Sequence, residues 1–265
     1  MPTNFGASAT YKKEMGIFSK WKHERKIKKI PPIDLSVVGV DMHSHLLPGI
    51  DDGAANLEES IQLIQHLKEL GYHKLITTPH IFWDMYKNTP EIISSKLDLL
   101  RHEVAKRGLN VEIEAAAEYY CDEHFEKQIE ADKLLSFGTK KYVLFEISFA
   151  AENANLGRAI FNMRLAGYHP ILAHPERYDY WHRNFEKYES MLDKDVLLQL
   201  NINSLTGQYG PETQRVSEKL IEKGFISFIG TDCHHMGHVQ LTHAARTFPH
   251  LKMLLDSGNL LHHTL

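Results

Sequence analysis

Cysteine is scarce in this chain, with two among 265 residues, so a disulfide-stapled scaffold is excluded. No run of 18 apolar residues occurs, so no membrane-spanning helix is expected. The first 20 residues, MPTNFGASATYKKEMGIFSK, hold no apolar core of the kind a secretory signal needs. Together these absences point to the cytoplasm. Low hydrophobicity is also lacking: 43% of residues are hydrophobic and 24% charged, which excludes disorder as the main state. A chain of this length can bury roughly three quarters of its unfolded surface in one core. Internal repeats and low-complexity tracts are absent.

Charge is uneven. Residues 1–30 carry eight Lys/Arg against Glu14 and Glu24, a net of +6, while the whole chain is −4, which leaves −10 on residues 31–265. An acidic body argues against nucleic acid as a partner. Residues 1–32 read as a basic N-terminal extension ending at Pro31-Pro32, and residues 33–265 as one folded domain. The extension reads as a solvated leader, or as an arm for an anionic membrane or an acidic partner.

From Ile33 onward, short apolar runs alternate with amphipathic segments. The runs are Leu35–Val40, Lys74–Thr78, Val111–Ala117, Tyr142–Ile147, Pro170–Ala173, Val196–Ile202 and Phe225–Ile229. Their length and their β-branched and aromatic content predict buried parallel strands. Helices are predicted from Asn56 to Gly71, Pro90 to Gly108, Asn155 to Gly167 and Pro211 to Gly224, in several cases with Pro inside the start and Gly past the end. Seven strands alternating with helices predict an α/β fold, either a βα barrel or a doubly wound sheet.

What the chain has in excess is histidine, 18 residues against 16 glycines. Their positions follow the strand map. His43 and His45 follow the first run and, two residues apart in extended chain, point the same way. Asp51 and Asp52 come just before Gly53. His80 follows the second run, Glu118 the third, Glu146 closes the fourth, His174 follows the fifth, and Asp232 and His234 follow the seventh. Six of seven strands thus end in His, Asp or Glu, on the side where a βα barrel builds its active site. No one of these residues is persuasive alone. Five His and four carboxylates gathered in one mouth would be costly without cations to hold them. Nine N/O ligands exceed the needs of one ion, so about two or three Zn, Mn or Fe ions are expected. Such a cluster activates water and clamps a phosphoryl group. Arg177, three residues past His174, has the reach to bind phosphate bidentately. Cys121 and Cys233 read as packing residues. Cysteine-based phosphatase chemistry is excluded, because the position six residues on is Lys127 or Val239 instead of Arg.

The stretches D41-M-H-S-H-L-L-P-G-I-D-D-G53, T78-P-H80, A117-E-Y119, H174-P-E-R-Y178 and T231-D-C-H234 resemble the PHP (polymerase and histidinol phosphatase) superfamily. More closely they are similar to the bacterial metal-dependent tyrosine-protein phosphatases of capsule and exopolysaccharide operons, over roughly residues 38–260. The resemblance implies a distorted (β/α)7, TIM-like barrel whose metal site lies at the C-terminal ends of the strands. It implies hydrolysis of phosphotyrosine on a bacterial tyrosine kinase, with manganese as the first choice of metal. The implied ligands are His43, His45, Asp52, His80, Glu118, Glu146, His174, Asp232 and His234, and Asp52 is preferred to Asp51 because it directly precedes the glycine. Arg177 corresponds to the phosphate-binding arginine, and an acid near Asp52 would assist the leaving group. A second arginine expected after D-x-H is missing, which leaves His238 or Arg246 as substitutes. The aromatics of Ile81–Thr89 either stack on a substrate ring or form a lid. Rival readings are a small-molecule phosphoesterase of histidinol-phosphatase type, an amidohydrolase-type hydrolase, and a non-catalytic metal-binding scaffold. The amidohydrolase reading lacks a His after the sixth strand, where Asn201-Ile202-Asn203 stands.

Overall fold

The structure, a computed structural model, describes residues 27–265, so the expectations for residues 1–26 lie outside the described residues. In chain order the elements are β1 (Val40–Asp41), α1 (Leu57–Glu69), β2 (Lys74–Thr77), β3 (His80–Ile81), α2 (Pro90–Lys106), β4 (Glu112–Ala115), β5 (Glu118–Tyr120), α3 (Glu123–Glu130), β6 (Tyr142–Glu146), α4 (Leu156–Leu165), β7 (His169–Ala173), α5 (Glu186–Leu192), β8 (Leu197–Asn201), α6 (Pro211–Glu222), β9 (Ile226–Gly230), α7 (Met236–Ala245) and α8 (Pro249–Asp256). The fold is α/β, and every paired strand is parallel.

The strands form two sheets, ordered β1-β2-β4 and β3-β5-β6-β7-β8-β9. The division falls where β2 and β4, in the second and third apolar runs, are each followed after a gap of two residues by a further short strand, β3 and β5. Pro79, which has no N–H to donate, separates β2 from β3. Bonding continues across the break, with Ala116 N donating to the Thr77 carbonyl at 2.9 Å and Glu118 N to the Pro79 carbonyl at 3.1 Å. At the far edge the first and last runs meet: Ser44 bridges Cys233 in parallel, His45 N donates to the Cys233 carbonyl at 2.9 Å, and Asp232 N to the His43 carbonyl at 2.8 Å.

The four predicted helices are present. Asn56 Oδ1 accepts from Glu59 N at 3.0 Å, and Ile61, Ile64 and Leu67 are buried along one face of α1. Thr89 caps α2, with Pro90 in its first turn. Asn155 precedes α4 without a side-chain cap bond. Gly71 ends α1 at φ +113°, and a Cβ there would lie 2.3 Å from Ser36 N. The first run departs from expectation. Leu35–Val37 forms a 3-10 turn capped by Asp34, whose carboxylate accepts from Ser36 N at 2.9 Å, and the strand begins only at Val40. Four helices, α3, α5, α7 and α8, were not predicted; in α3 only Phe125 and Ile129 are buried, too sparse a stripe to announce a helix.

Two apolar clusters hold the fold. The larger packs the helices on the outer face of the strands. The smaller lies on their other face and includes Met42, Ile76, Ala116, Leu144, Ile171 and Phe228. Leu261 and Leu265 of the C-terminal tail pack against it, and Leu261 N is bonded to the Ser227 carbonyl at 2.9 Å. Alternation along the strands then matters. Ala116 and Glu118, Leu144 and Glu146, and Ile76 and His80 are an even number of residues apart, so the rows that begin apolar end in ligand-type side chains.

Residues 27–33 run along the α7–α8 turn. Ile30 N donates to the Thr247 carbonyl at 2.9 Å and Ile33 N to the Arg246 carbonyl at 3.0 Å, while Lys29 lies over the Phe248 ring.

Candidate metal centre

The chain leaves each strand into a short turn that carries a polar side chain. His43 and His45, both fully buried, lie with their Nε2 atoms 3.3 Å apart. Each is oriented through its other nitrogen. Gln199 Oε1 lies 2.9 Å from His43 Nδ1 and also accepts from His174 N at 3.3 Å, while its Nε2 donates to the Leu200 carbonyl at 2.7 Å. The amide oxygen therefore faces His43, whose Nδ1 carries the proton and whose Nε2 is left with a lone pair. Asp51 does the same for His45, with Oδ2 at 2.9 Å from Nδ1, and it also accepts from Gly53 N and His80 N, each at 3.0 Å.

Those lone pairs converge on a carboxylate. Glu118 Oε2 is fully buried and has no hydrogen-bond donor, yet it lies 3.2 Å from His43 Nε2, 3.4 Å from His45 Nε2 and 3.3 Å from His80 Nδ1. Neutral imidazole lone pairs and a carboxylate oxygen repel one another at such distances unless a proton or cation lies between them. Three groups of side chains offer ligand atoms within 4.8 Å of one another: His45, Asp52, His80 and His234; His43, His45, Glu118 and Asp232; and His80, Glu118 and Glu146. His174 adjoins the third group, its Nε2 3.1 Å from Glu118 Oε1 and 3.9 Å from Glu146 Oε2. All nine sequence-predicted ligand positions thus stand around one centre, and the donor set fits divalent transition metals. Two of them sit on unusual backbone. His174 has φ +33° and Asp232 φ +49°, left-handed conformations that non-glycine residues rarely hold.

The electrostatics agree. Burial pushes His43 down, but Glu118 and Asp232 overcome it and hold the imidazole up to about 9. Burial pushes Glu118 and Asp232 up, and the surrounding histidines hold both well below the usual carboxylate range. The acidic field that draws protons onto these imidazoles draws cations equally, so metal and protons compete for the same lone pairs. Asp52 is half-exposed. Desolvation raises its carboxyl, but His234 and His80 outweigh that and keep it ionised.

Arg177 follows β7 in the turn Pro175–Arg177. Its Nη1 donates to Asp232 Oδ2 at 3.0 Å, and its guanidinium lies 4.4 Å from the Tyr209 ring and 4.8 Å from the Phe149 ring. Burial works against its charge, but Asp232 outweighs it, and the group stays cationic. A cleft of about 390 Å³ opens above the ligands, and its lining includes Asp52, Tyr86, Phe149, Arg177, Tyr209 and His238. Arg246 points elsewhere: its Nε donates to the Ile33 carbonyl, which removes it as a substitute for a second phosphate arginine. Of the Ile81–Thr89 loop, Phe82, Met85 and Tyr86 line the cleft, whereas Trp83 stacks on His124. Both cysteines are buried, which pushes the Cys121 thiol up to about 12 and raises Cys233 as well, so neither offers a thiolate.

Sequence reasoning missed Gln199, Phe149 and Tyr209, and gave Asp51 no part. The D-D pair held a signal for Asp51, since one carboxylate can orient a histidine while its neighbour faces the cleft. An amide inside a strand and two aromatics in loops carry no local signal.

This architecture, an α/β fold with clustered His, Asp and Glu at the strand ends, is that of a metallohydrolase. The chain belongs to the CpsB/CapC family of capsular polysaccharide synthesis, whose sequence model matches residues 39–247. It is 28% identical over 197 residues to the tyrosine-protein phosphatase YwqE of Bacillus subtilis, covering 74% of this chain and 78% of that one. It is 24% identical over 202 residues to the tyrosine-protein phosphatase CpsB of Streptococcus agalactiae, covering 74% and 83%. A solved structure from work on YwqE of Bacillus subtilis and CpsB of Streptococcus pneumoniae, described as metal-dependent tyrosine phosphatases, superimposes with a TM-score of 0.74 at 26% identity, covering 84% of this chain and 89% of the other. Among the described residues no helix is long and apolar enough to cross a membrane.

Proposed function

We propose that this chain is a metal-dependent tyrosine-protein phosphatase of capsule or exopolysaccharide synthesis, acting in the cytoplasm on a phosphotyrosine protein, with a bacterial tyrosine kinase as the substrate. The observation that carries the reading is Glu118 Oε2, buried without a donor against three imidazole nitrogens, in a cluster whose Asp232 is bonded to Arg177. The fold belonging to this reading is a distorted (β/α)7 barrel, supported by the bonds that tie residues 43–45 to residues 231–233.

The ligands would be His43, His45, Asp52, His80, Glu118, Glu146, His174, Asp232 and His234. Bound divalent ions, manganese first with iron or zinc as alternatives, would supply water activated at neutral pH and electrophilic contacts to the phosphoryl oxygens. The protein supplies the rest. Gln199 and Asp51 fix the tautomers of His43 and His45. Arg177 binds phosphoryl oxygens and neutralises charge that grows in the transition state, while Asp232, Phe149 and Tyr209 hold its guanidinium in place. Asp52, held ionised by His234 and His80, has no proton to give the leaving group and would serve as a ligand. The departing phenolate needs little assistance, since a tyrosine phenol has a pKa of about 10.

The test is an assay of the purified chain with and without manganese on a phosphotyrosine peptide, a phosphoserine peptide and histidinol phosphate. Activity that a chelator abolishes, with preference for the aryl ester, is expected. Equal or faster turnover of histidinol phosphate would transfer the reading to a small-molecule phosphoesterase.

A further inference from the structure

The inference below rests on the phosphatase reading and concerns the apolar side of the cleft. Among the described residues, Phe82, Met85, Tyr86, Tyr120, Phe149 and Tyr209 give the cleft an apolar side. Two of these rings have a particular placement. Tyr86 stacks on His80, with centroids 5.5 Å apart and planes 13° from parallel. Phe149 stacks on His174, at 5.6 Å and 24°. His80 and His174 both approach Glu146, with His80 Nδ1 3.3 Å from Oε1 and His174 Nε2 3.9 Å from Oε2. The two rings therefore each cover a histidine beside the same carboxylate.

Both rings keep exposed surface toward the cleft, although Phe149 also meets Tyr178 at 5.6 Å and Tyr86 is half-buried. Phe82 is packed against Tyr120 at 4.0 Å, and Tyr209 covers the Arg177 guanidinium. Phe149, by contrast, is 46% exposed and Met85 65%, both at the rim of a polar site. Large apolar side chains in such a place gain when a ligand covers them. Phe149 also lies 4.8 Å from the Arg177 guanidinium, so a phosphoryl group gripped by Arg177 brings its ester substituent beside this ring. A short alkyl substituent would leave the rings wet, whereas a phenyl ring covers them and stacks.

We propose that Tyr86 and Phe149 form an aromatic slot that sets specificity for aryl phosphate esters by reading the ring of the leaving group. Arg177 and the ligand cluster grip the phosphoryl end of any monoester. The slot adds a contact that only an aryl ester makes.

The test is calorimetric titration of the full chain, loaded with manganese, with phenylphosphonate and methylphosphonate. The two share a headgroup and resist hydrolysis, so binding is read without turnover. The wild-type chain is expected to bind the phenyl compound about ten-fold more tightly, the scale of a well-formed aromatic contact plus ring burial. Phe149→Ala and Tyr86→Ala should each lower that ratio by about three-fold or more, and Phe149→Tyr and Tyr86→Phe should keep it. Phe149 also touches Arg177, so its loss can weaken both ligands; the ratio cancels that shared change. Equal wild-type affinity for the two phosphonates, or a ratio unchanged in both alanine variants, would overturn the slot while leaving the phosphatase reading intact. A wild-type chain that binds neither compound would overturn both.

Discussion

The two ends of the same parallel strands are built on opposite rules. At the N-terminal end, Val40, Ile76, Tyr142 and Phe228 pack against one another and against Leu261 and Leu265 of the tail, an apolar plug with almost no exposed surface. At the C-terminal end the same rows finish in His80, Glu118 and Glu146, which meet at distances of 3.3 Å with no donor between His80 Nδ1 and the carboxylates. The plug stabilises the fold by excluding water. The mouth has the opposite character, with buried charges and left-handed backbone at His174 and Asp232 that the surrounding structure must hold. Stability and function are thus separated along one axis, and each end can be altered with a distinct readout.

The largest expected effect is at the mouth. Glu118→Gln removes the carboxylate shared by the second and third ligand groups, and should lower kcat/KM by about 1,000-fold or more together with the bound-metal count measured by mass spectrometry. Phe228→Ala strikes the plug instead. It should cost about 3–5 kcal/mol in urea unfolding, while the folded fraction keeps its metal content and turnover within about two-fold. Retained stability there would show that the plug is not what holds the strands. Arg177→Gln lies between these extremes. A fall in kcat/KM of about 100-fold to 1,000-fold with metal content within about two-fold is expected, because the role proposed for Arg177 is to grip the phosphoryl group and it reaches the ligand cluster only through its bond to Asp232.

The smallest effect concerns pH at the plug. His262 is buried with its Nε2 against the Ile229 carbonyl at 2.9 Å, and burial lowers its pKa from 6.5 to about 4. The folded state therefore binds this proton less readily than the unfolded chain. The contribution is present above pH 6.5 and is lost as pH falls from 6.5 towards 4, amounting to about 2 kcal/mol at pH 5. His262→Gln, which keeps a donor without titrating, should flatten the acid limb of the stability curve by that amount. An unchanged slope would mean that His262 titrates normally.

The comparison also explains what could be read from the sequence. Strand ends were legible because an apolar run stops abruptly at a His, Asp or Glu, and two-residue alternation turned His43 and His45 the same way. Helices with Pro in the first turn and Gly after the last were legible for the same local reason, as in α2 and α6. Local signals failed where tertiary contact decides. Leu35–Val37 is apolar enough for a strand, yet the Asp34 cap turns it into a 3-10 turn. Gln199 lies inside β8 and orients His43 from 156 residues away, a relation no spacing announces. Phe149 and Tyr209 reach Arg177 from separate loops.

The most direct test is anomalous diffraction at the manganese edge from crystals of the full chain grown with manganese. The account predicts two or three peaks within coordination distance of Glu118, each with at least two of the His, Asp and Glu side chains named above as ligands. A map with no peak beside Glu118, from protein that nonetheless hydrolyses phosphotyrosine, would contradict it.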